Sequence, residues 1–445
     1  MRSHSVRLCA AVVAAAACIP FSGARATDGH FLHGVGAVNA AMGGFGVAAP
    51  TSLLGAFYVN PAGLLDFKGT SVELGFELFK PARDITSTAG PMTGATTSSS
   101  EFVPIPAFGW SRELRDDRLV FGVGGLGIGG FGVDYQADTE NPITAPRPNG
   151  FGQIYSNFSL MKIAPAIALR VNDRVRLGFA VNIDWASLAV DPMPVAAPAV
   201  DAGTDGVMGT ADDRAYYSSA TDADGSFGMG FQAGLQFAVT PSMSVGLAYT
   251  SPQWFQKFEY DAVYENPNLP NYNTPRQIEF AMDVPAVYGA GVSFSVNPRV
   301  YLGVDAKLIT YGSTRGFKES GYAADGSVKG FGWEDIWSVA TGLQYMATPD
   351  LALRLGYNYS GNPIPDELSM FNAPAPAVVQ HHVTLGAGYR FRSGFGLDVA
   401  FYRAFENSVE GPFQTMAGPM AGTSVKSTLS EYSILMGFSF NPPRR

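Results

Sequence analysis

From about residue 70 to residue 440 the chain alternates apolar and polar side chains, and this period of two constrains its fold more than any other feature. Val175, Leu177, Phe179, Val181, Ile183 and Trp185 fall on one face; Arg176, Gly178, Ala180, Asn182 and Asp184 fall on the other. Successive side chains of a strand point to opposite faces, so each segment has one apolar side and one polar side. Fourteen segments read this way, at about 70–80, 101–112, 118–131, 158–171, 174–189, 226–239, 243–251, 277–296, 299–310, 333–347, 350–360, 379–392, 394–405 and 428–440. Short connections such as Asn172-Asp173, Thr240-Pro241-Ser242 and Asn297-Pro298 alternate with long ones such as 132–157, 190–225 and 252–276. Short turns on one rim and long loops on the other, joining an even number of strands, describe a transmembrane antiparallel β-barrel with both termini on the short-turn, periplasmic side.

The beginning of the chain points to export. Arg2 and Arg7 precede an apolar stretch from Leu8 to Ile19, and Ala24-Arg25-Ala26 offers a cleavage site, so residues 1–26 read as a signal peptide. The apolar stretch is too short to cross a bilayer as a helix, which takes roughly 20 residues. Both cysteines, Cys9 and Cys18, lie in this leader, so the remainder holds no disulfide or thiolate metal site. The net charge is −9, and loss of Arg2, Arg7 and Arg25 makes it more negative, which argues against nucleic acid as a partner. Glycine at 52 residues suits strands that bend, and aromatics at 12% suit the two membrane interfaces.

Residues 27–68 differ in character. They are rich in small residues, lack sustained alternation and end in Asn60-Pro61-Ala62-Gly63-Leu64, where Pro61 biases Asn60 away from helix. Met42-Gly43-Gly44-Phe45-Gly46-Val47-Ala48, this Asn-Pro-Ala element, Ile163 to Ala168, Gly246 to Pro252, Trp333-Glu334-Asp335-Ile336-Trp337 and Leu353 to Tyr357 with Asn362 to Pro365 come in one order. In these pieces the chain resembles the FadL/TodX-type outer-membrane transporters of hydrophobic compounds. The resemblance implies a plug, or hatch, over 27–68 with Asn60, Pro61 and Ala62 as its signature, a barrel over 69–440 and a tail at 441–445. It also implies capture of apolar ligands at the outer loops, a deeper site near His30, Phe31 and Leu32, and sideways release through a kinked third strand.

The third strand carries its own sign of a kink. Apolar residues hold odd positions at Leu119, Phe121 and Val123, then even positions at Leu126 and Ile128. A one-residue slip sends side chains to the other face, and a bulge absorbs it. Gly122, Gly124, Gly125, Gly127 and Gly129 weaken the strand there, so the expected break is at Gly124-Gly125. The inward positions include Glu73, Glu77, Lys162, Asp184, Asp305, Lys307, Arg354, His382 and Asp398. A hydrocarbon gains nothing by sliding past such groups, which favours a side exit.

Other chemistry is sparse. Asp201, Asp205, Asp212 and Asp213 surround glycines in loop 190–225, yet they lack the alternate spacing and closing glutamate of a calcium loop. His30, His33, His381 and His382 form no base–nucleophile pattern in the sequence, so no enzyme activity and no cofactor is expected. The reading is a passive, monomeric transporter of long-chain fatty acids or related hydrophobic molecules in a Gram-negative outer membrane, assembled by the barrel-insertion machinery among outer-membrane lipids. The alternatives are an aromatic-hydrocarbon channel and, of another class, a general porin or a surface adhesin. A fatty acid needs a cation at its site, for which Lys257, Arg276, Arg315 and Lys318 in the long loops are candidates.

Overall fold

A computed structural model describes residues 28–99, 102–115, 117–208, 210 and 213–441. The leader, Asp212 and residues 442–445 of the tail lie outside the described residues. Fourteen wall strands follow one another in the order the alternation predicts. They are β1 Thr70–Ala89, β2 Val103–Arg115, β3 Leu119–Tyr135, β4 Ile154–Arg170, β5 Val175–Asp191, β6 Ala220–Thr240, β7 Met243–Thr250, β8 Val287–Asn297, β9 Val300–Ile309, β10 Ile336–Met346, β11 Leu351–Ser360, β12 His381–Arg390, β13 Phe395–Gly411 and β14 Thr423–Phe440. Each pairs antiparallel with its neighbours in sequence, and β14 closes on β1 from Val72–Phe440 to Ala89–Thr423. Closure of β14 on β1 leaves no free edge at that seam.

The alternation resolves as the period of two requires. Leu74, Phe76 and Leu78 on β1, Leu177, Phe179, Val181 and Ile183 on β5, and Ile434, Met436 and Phe438 on β14 face outward and stay accessible. A continuous apolar belt of this kind belongs in lipid. The inward partners Glu73, Glu77, Lys162, Asp184, Asp305 and Asp398 are buried.

Several strands run past their expected ends, β1 to Ala89, β6 from Ala220, β13 to Gly411 and β14 from Thr423, and one is shorter. β8 begins at Val287, whereas alternation suggests a start near residue 277. Residues Pro275–Phe280 pair instead with Phe258–Val263 in a separate hairpin. Pro285 has no N–H to continue a ladder, and Val284 turns to bridge Gln253.

Inside the wall lie α1 Ala37–Ala41, α2 Leu53–Val59 and a 3-10 turn, Pro61–Asp66. Between residues 28 and 65 only Ala49, Thr51 and Tyr58 escape full burial. This is the hatch, and the wall holds it by its backbone. Glu73 accepts from Leu53 N at 2.7 Å, setting a carboxylate against the start of α2, and Asp305 accepts from Gly46 N at 2.7 Å and Val47 N at 2.8 Å. Such charge-assisted bonds are shorter and stronger than neutral ones.

Candidate ligand path and wall opening

Asn60 shows how its local sequence places the hatch. It caps the 3-10 turn by accepting from Ala62 N at 3.0 Å, and Pro61 at the first position of that turn lacks the N–H that would go unused. Its amide then donates to Val47 O at 2.7 Å and to Leu235 O and Leu247 O on β6 and β7, each at 3.3 Å. Gly234 and Gly178 supply the room. A Cβ on Gly234 would strike Asn60 Oδ1, and one on Gly178 would strike Ala62 N.

β3 does not break at Gly124-Gly125. Gly122, Gly124 and Gly125 remain paired with Ser111, Gly109 and Phe108 of β2 and with β4 on the other side. Leu126 points inward without any slip, because the lumen there is packed with hatch and not filled by water; a Cβ at Gly124 would meet Phe57 of α2 at 2.7 Å. The register shifts later, between Gly127 and Gly129, where Ile128 is the extra residue opposite β4. Pairing of β3 with β2 ends at Leu126–Ala107. From there Gly127 to Gly130 of β3 and Val103 to Pro106 of β2 make no ladder pairs with each other among the described residues, with Pro104 and Pro106 offering no donors. Further up, Ser99 N donates to Asp134 O at 2.9 Å. Among the described residues the wall therefore has an opening above Ala107, along Val103 to Pro106.

The hatch takes the edge that β2 leaves. Leu32 N donates to Ile128 O at 2.9 Å, Gly130 N donates to His30 O at 2.8 Å, and Phe31 bridges Gly129. A Cβ at Gly129 would overlap the His30 carbonyl. His30 sits fully buried in an aromatic cage, stacked on Phe31 at 4.4 Å and on Phe317 at 5.3 Å, with Phe158 and Tyr311 edge-on. Burial there pushes its imidazole down to about 3. His30, Phe31 and Leu32 thus lie together at the slip, beside Gly127 and Gly129, and away from Gly122.

Cavities run from the loops toward this point. Phe151, Pro192, Tyr217, Tyr322, Met370 and Phe371 line an outer one of about 450 Å³. A second, of about 460 Å³, shares Pro194, Val328, Phe371 and Pro374 with it and reaches Phe131 of β3. An inner chamber of about 670 Å³ has Phe31, Ile128, Val47 and Ile309 on its apolar side and Lys162, Lys307 and Asn182 on its polar side. The two ammonium groups lie 5.7 and 5.9 Å from the Tyr58 ring centre, and Lys307 stands 3.8 Å from Asp28.

The loop cations do not converge on these cavities. Lys257 pairs with Glu279, Arg315 with Asp283 and Lys318 with Glu319, while Arg276 donates to Ala197 O. Lys162 and Lys307 take the inner place, and their inward register in the alternation was the available sign. The acidic loop is also committed elsewhere. Asp201 accepts from Asn268 at 2.8 Å and Gly203 N at 3.0 Å, with Asn268 foremost in holding its carboxyl below the usual range, and Asp205 caps Val207 N. Among the described residues no three His, Cys, Asp or Glu side chains gather as a metal would need.

Solved structures of similar fold include transporters and channels of monoaromatic hydrocarbons. The P. putida toluene transporter TodX matches with a TM-score of 0.69 at 19% identity, over 93% of this chain and 100% of that one. The Ralstonia pickettii toluene transporter TbuX matches at 0.65 and 19%, over 93% and 99%. A Pseudomonas aeruginosa FadL homologue matches at 0.69 and 17%, over 93% and 99%. No curated protein matches. Residues 13–441 fit the family model for outer membrane protein transport proteins, OMPP1/FadL/TodX, and the chain belongs to that family.

Proposed function

We propose that this outer-membrane channel carries a long-chain fatty acid, or a close relative with an acidic head, from the outer loops to the bilayer through the opening between β2 and β3. The opening is the observation that carries the reading, because it lies beside the hatch segment 30–32 and its ligand would meet lipid without crossing the charged lumen. The outer cavities serve as capture sites. The inner chamber receives the acyl chain along Phe31 and Ile128 and the head near Lys162 and Lys307. Residues 28–66 act as the plug, Gly127 and Gly129 as hinge positions of the lateral gate, and no bond is broken on the way. The barrel closes within one chain and works as a monomer set in outer-membrane lipid by the insertion machinery.

A neutral aromatic hydrocarbon is the second reading, favoured by the caged rings around His30 and by the toluene transporters among the fold relatives. Uptake of radiolabelled oleic acid and of toluene by cells carrying the protein separates the two. Oleic acid should enter faster than in cells without it, and Lys162→Met with Lys307→Met should cut that rate about tenfold, the scale of one to two charge-assisted bonds. Toluene uptake without oleic acid uptake selects the second reading. Large steady ion conductance without either returns the porin.

A further inference from the structure

The inner chamber reaches a second seam of the wall. Phe31 and Ile128 bound it at the slip in β3, while Thr250 and Gln253 at the end of β7 and Val284, Pro285 and Val287 at the start of β8 bound it elsewhere. The β7–β8 ladder stops at Thr250–Val287, and the two chain segments meet again only at Gln253–Val284, through backbone bonds of 2.9 and 3.0 Å. Between these points Ser251 and Pro252 stand across from Pro285 and Ala286. Neither proline has an N–H to give. Ser251 N donates to Phe231 O of β6, and Ala286 O accepts from Thr310 N at the end of β9. Gln253 is 2% exposed, and its Oε1 has no hydrogen-bond partner among the described residues, so the closed seam carries the cost of an unpaired buried acceptor.

The lipid side of the same wall is concave. The small side chains of Ala233 on β6, Ala290 on β8 and Ala306 on β9 leave a groove of about 1080 Å³, and Leu247, Tyr288 and Trp337, each at least half exposed, stand around it. Chamber and groove have Ala248 and Gly289 in common, and these two residues face each other in the β7–β8 ladder. There the wall is a single layer of backbone with one methyl group, and the unpaired stretch lies just above it. An apolar molecule crossing here passes from an apolar chamber face to lipid and never meets the charged lumen.

We propose that the β7–β8 seam is a second lateral passage from the inner chamber, and that the groove outside it holds the acyl chain of the transported ligand as that chain leaves for the bilayer. This rests on the acyl-ligand reading of the chamber given above. The occupant follows from continuity, since the groove backs directly onto the chamber through Ala248 and Gly289. The passage is closed in this structure by the Gln253–Val284 bridge alone, and opening it breaks two hydrogen bonds and no ladder. The β2–β3 opening differs in that hatch backbone fills it. A ligand in the chamber can therefore reach lipid at β7–β8 while residues 30–32 stay docked on β3.

The test uses the full-length protein in cells, with palmitic acid bearing a photoreactive diazirine on its acyl chain as the probe and mass spectrometry to locate the labelled residues. Heat-dependent gel mobility reports barrel assembly. Leu247, Tyr249 and Tyr288 of the groove should be labelled at least fivefold more than Leu353, Leu355 and Leu385, which face lipid on β11 and β12. Pro252→Val with Pro285→Val supplies two backbone donors and two β-branched side chains, and should zip the seam. Groove labelling should then fall at least fivefold, to the level of β11 and β12, while labelling of Phe31 and Ile128 in the chamber persists. Equal labelling of the two faces in wild type, or groove labelling that survives in an assembled double variant, overturns the passage. If the double variant does not assemble, Pro285→Val alone decides: a fall of at least twofold is expected, and no fall overturns the passage. Wild type labelled in neither chamber nor groove defeats the acyl-ligand reading itself.

Discussion

The seam that closes the barrel and the seam between β2 and β3 serve opposite ends. From Val72–Phe440 to Ala89–Thr423 the closing seam is paired without interruption. The β2–β3 seam pairs only as far as Ala107–Leu126, and above that point the free edge of β3 is satisfied by hatch backbone at His30 and Leu32. The closing seam holds one glycine on each strand, Gly75 and Gly437, whereas β3 alone holds seven. In the closing seam a Cβ at Gly437 would make only ordinary contact with Ala37, at 3.4 Å. In β3, Gly129 stands where another backbone comes too close for any side chain. One seam holds a wall together, and the other holds a removable partner. What marks the opening is whose backbone the glycine faces.

Breaking the ladder in each seam should give the largest contrast. Met436→Pro, in the centre of β14, removes a ladder donor at a cost of about 3 kcal/mol or more, and the heat-modifiable, assembled fraction should collapse. Phe102→Pro, at the open edge beside Pro104, should leave assembly within about twofold. Equal loss in both would mean that the β2–β3 seam is no weaker than the other.

Loosening the hatch comes next. Asn60→Ala deletes the cap on Ala62 N and the bonds to Val47 O, Leu235 O and Leu247 O. At about 1 kcal/mol per bond, loss of the two bonds to wall carbonyls removes roughly 2 kcal/mol of hatch docking. The check is single-channel recording, where the variant should show frequent open events that wild type lacks. Silent recordings from an assembled variant would mean that Asp305 and Glu73 suffice to hold the plug.

A smaller effect isolates the hatch–β3 contact. Gly129→Ala should disfavour docking of residues 30–32 by about 2 kcal/mol, the scale of overpacking. A cysteine at Phe31 should then react with a small thiol reagent about thirtyfold faster, whereas Gly437→Ala should leave its rate unchanged. Similar rates in both would erase the distinction between the seams.

Acid should also act on this contact, through the His30 imidazole, and on the neighbouring His33, which burial likewise lowers, to about 4. Docked His30 is neutral, held at about 3, while a released imidazole titrates near its ordinary 6.5. Docking is therefore indifferent to pH above about 6.5 and weakens as pH falls from there toward 3. At pH 5.5 the Phe31→Cys labelling rate should rise about tenfold over pH 7.5. His30→Phe should reduce that response, and a flat wild-type response would place His30 in contact with water.

How much of this was legible beforehand follows from what each feature depends on. Asn60-Pro61-Ala62 could be read as a turn because a cap and a proline act within a few residues of themselves. Its bonds to Leu235 and Leu247 could not, since those carbonyls lie some 175 and 187 positions away in sequence. The side of the wall taken by Lys162 and Lys307 was legible from parity; the chamber they share with Tyr58 was not. The β3 slip was expected three residues early, at Gly124-Gly125, because Leu126 off phase looked like a change of face. It is an apolar residue on the lumen face, tolerated because α2 fills the space beside it.

The sequence by itself determined the strands, their number and their faces, since strand parity and turn residues are local properties that one stretch of residues expresses alone. Only the tertiary structure decided which edge stayed unpaired and which backbone filled it. Those depend on chain segments far apart in sequence competing for the same hydrogen-bond donors and the same small space, and no single segment carries the outcome of that competition.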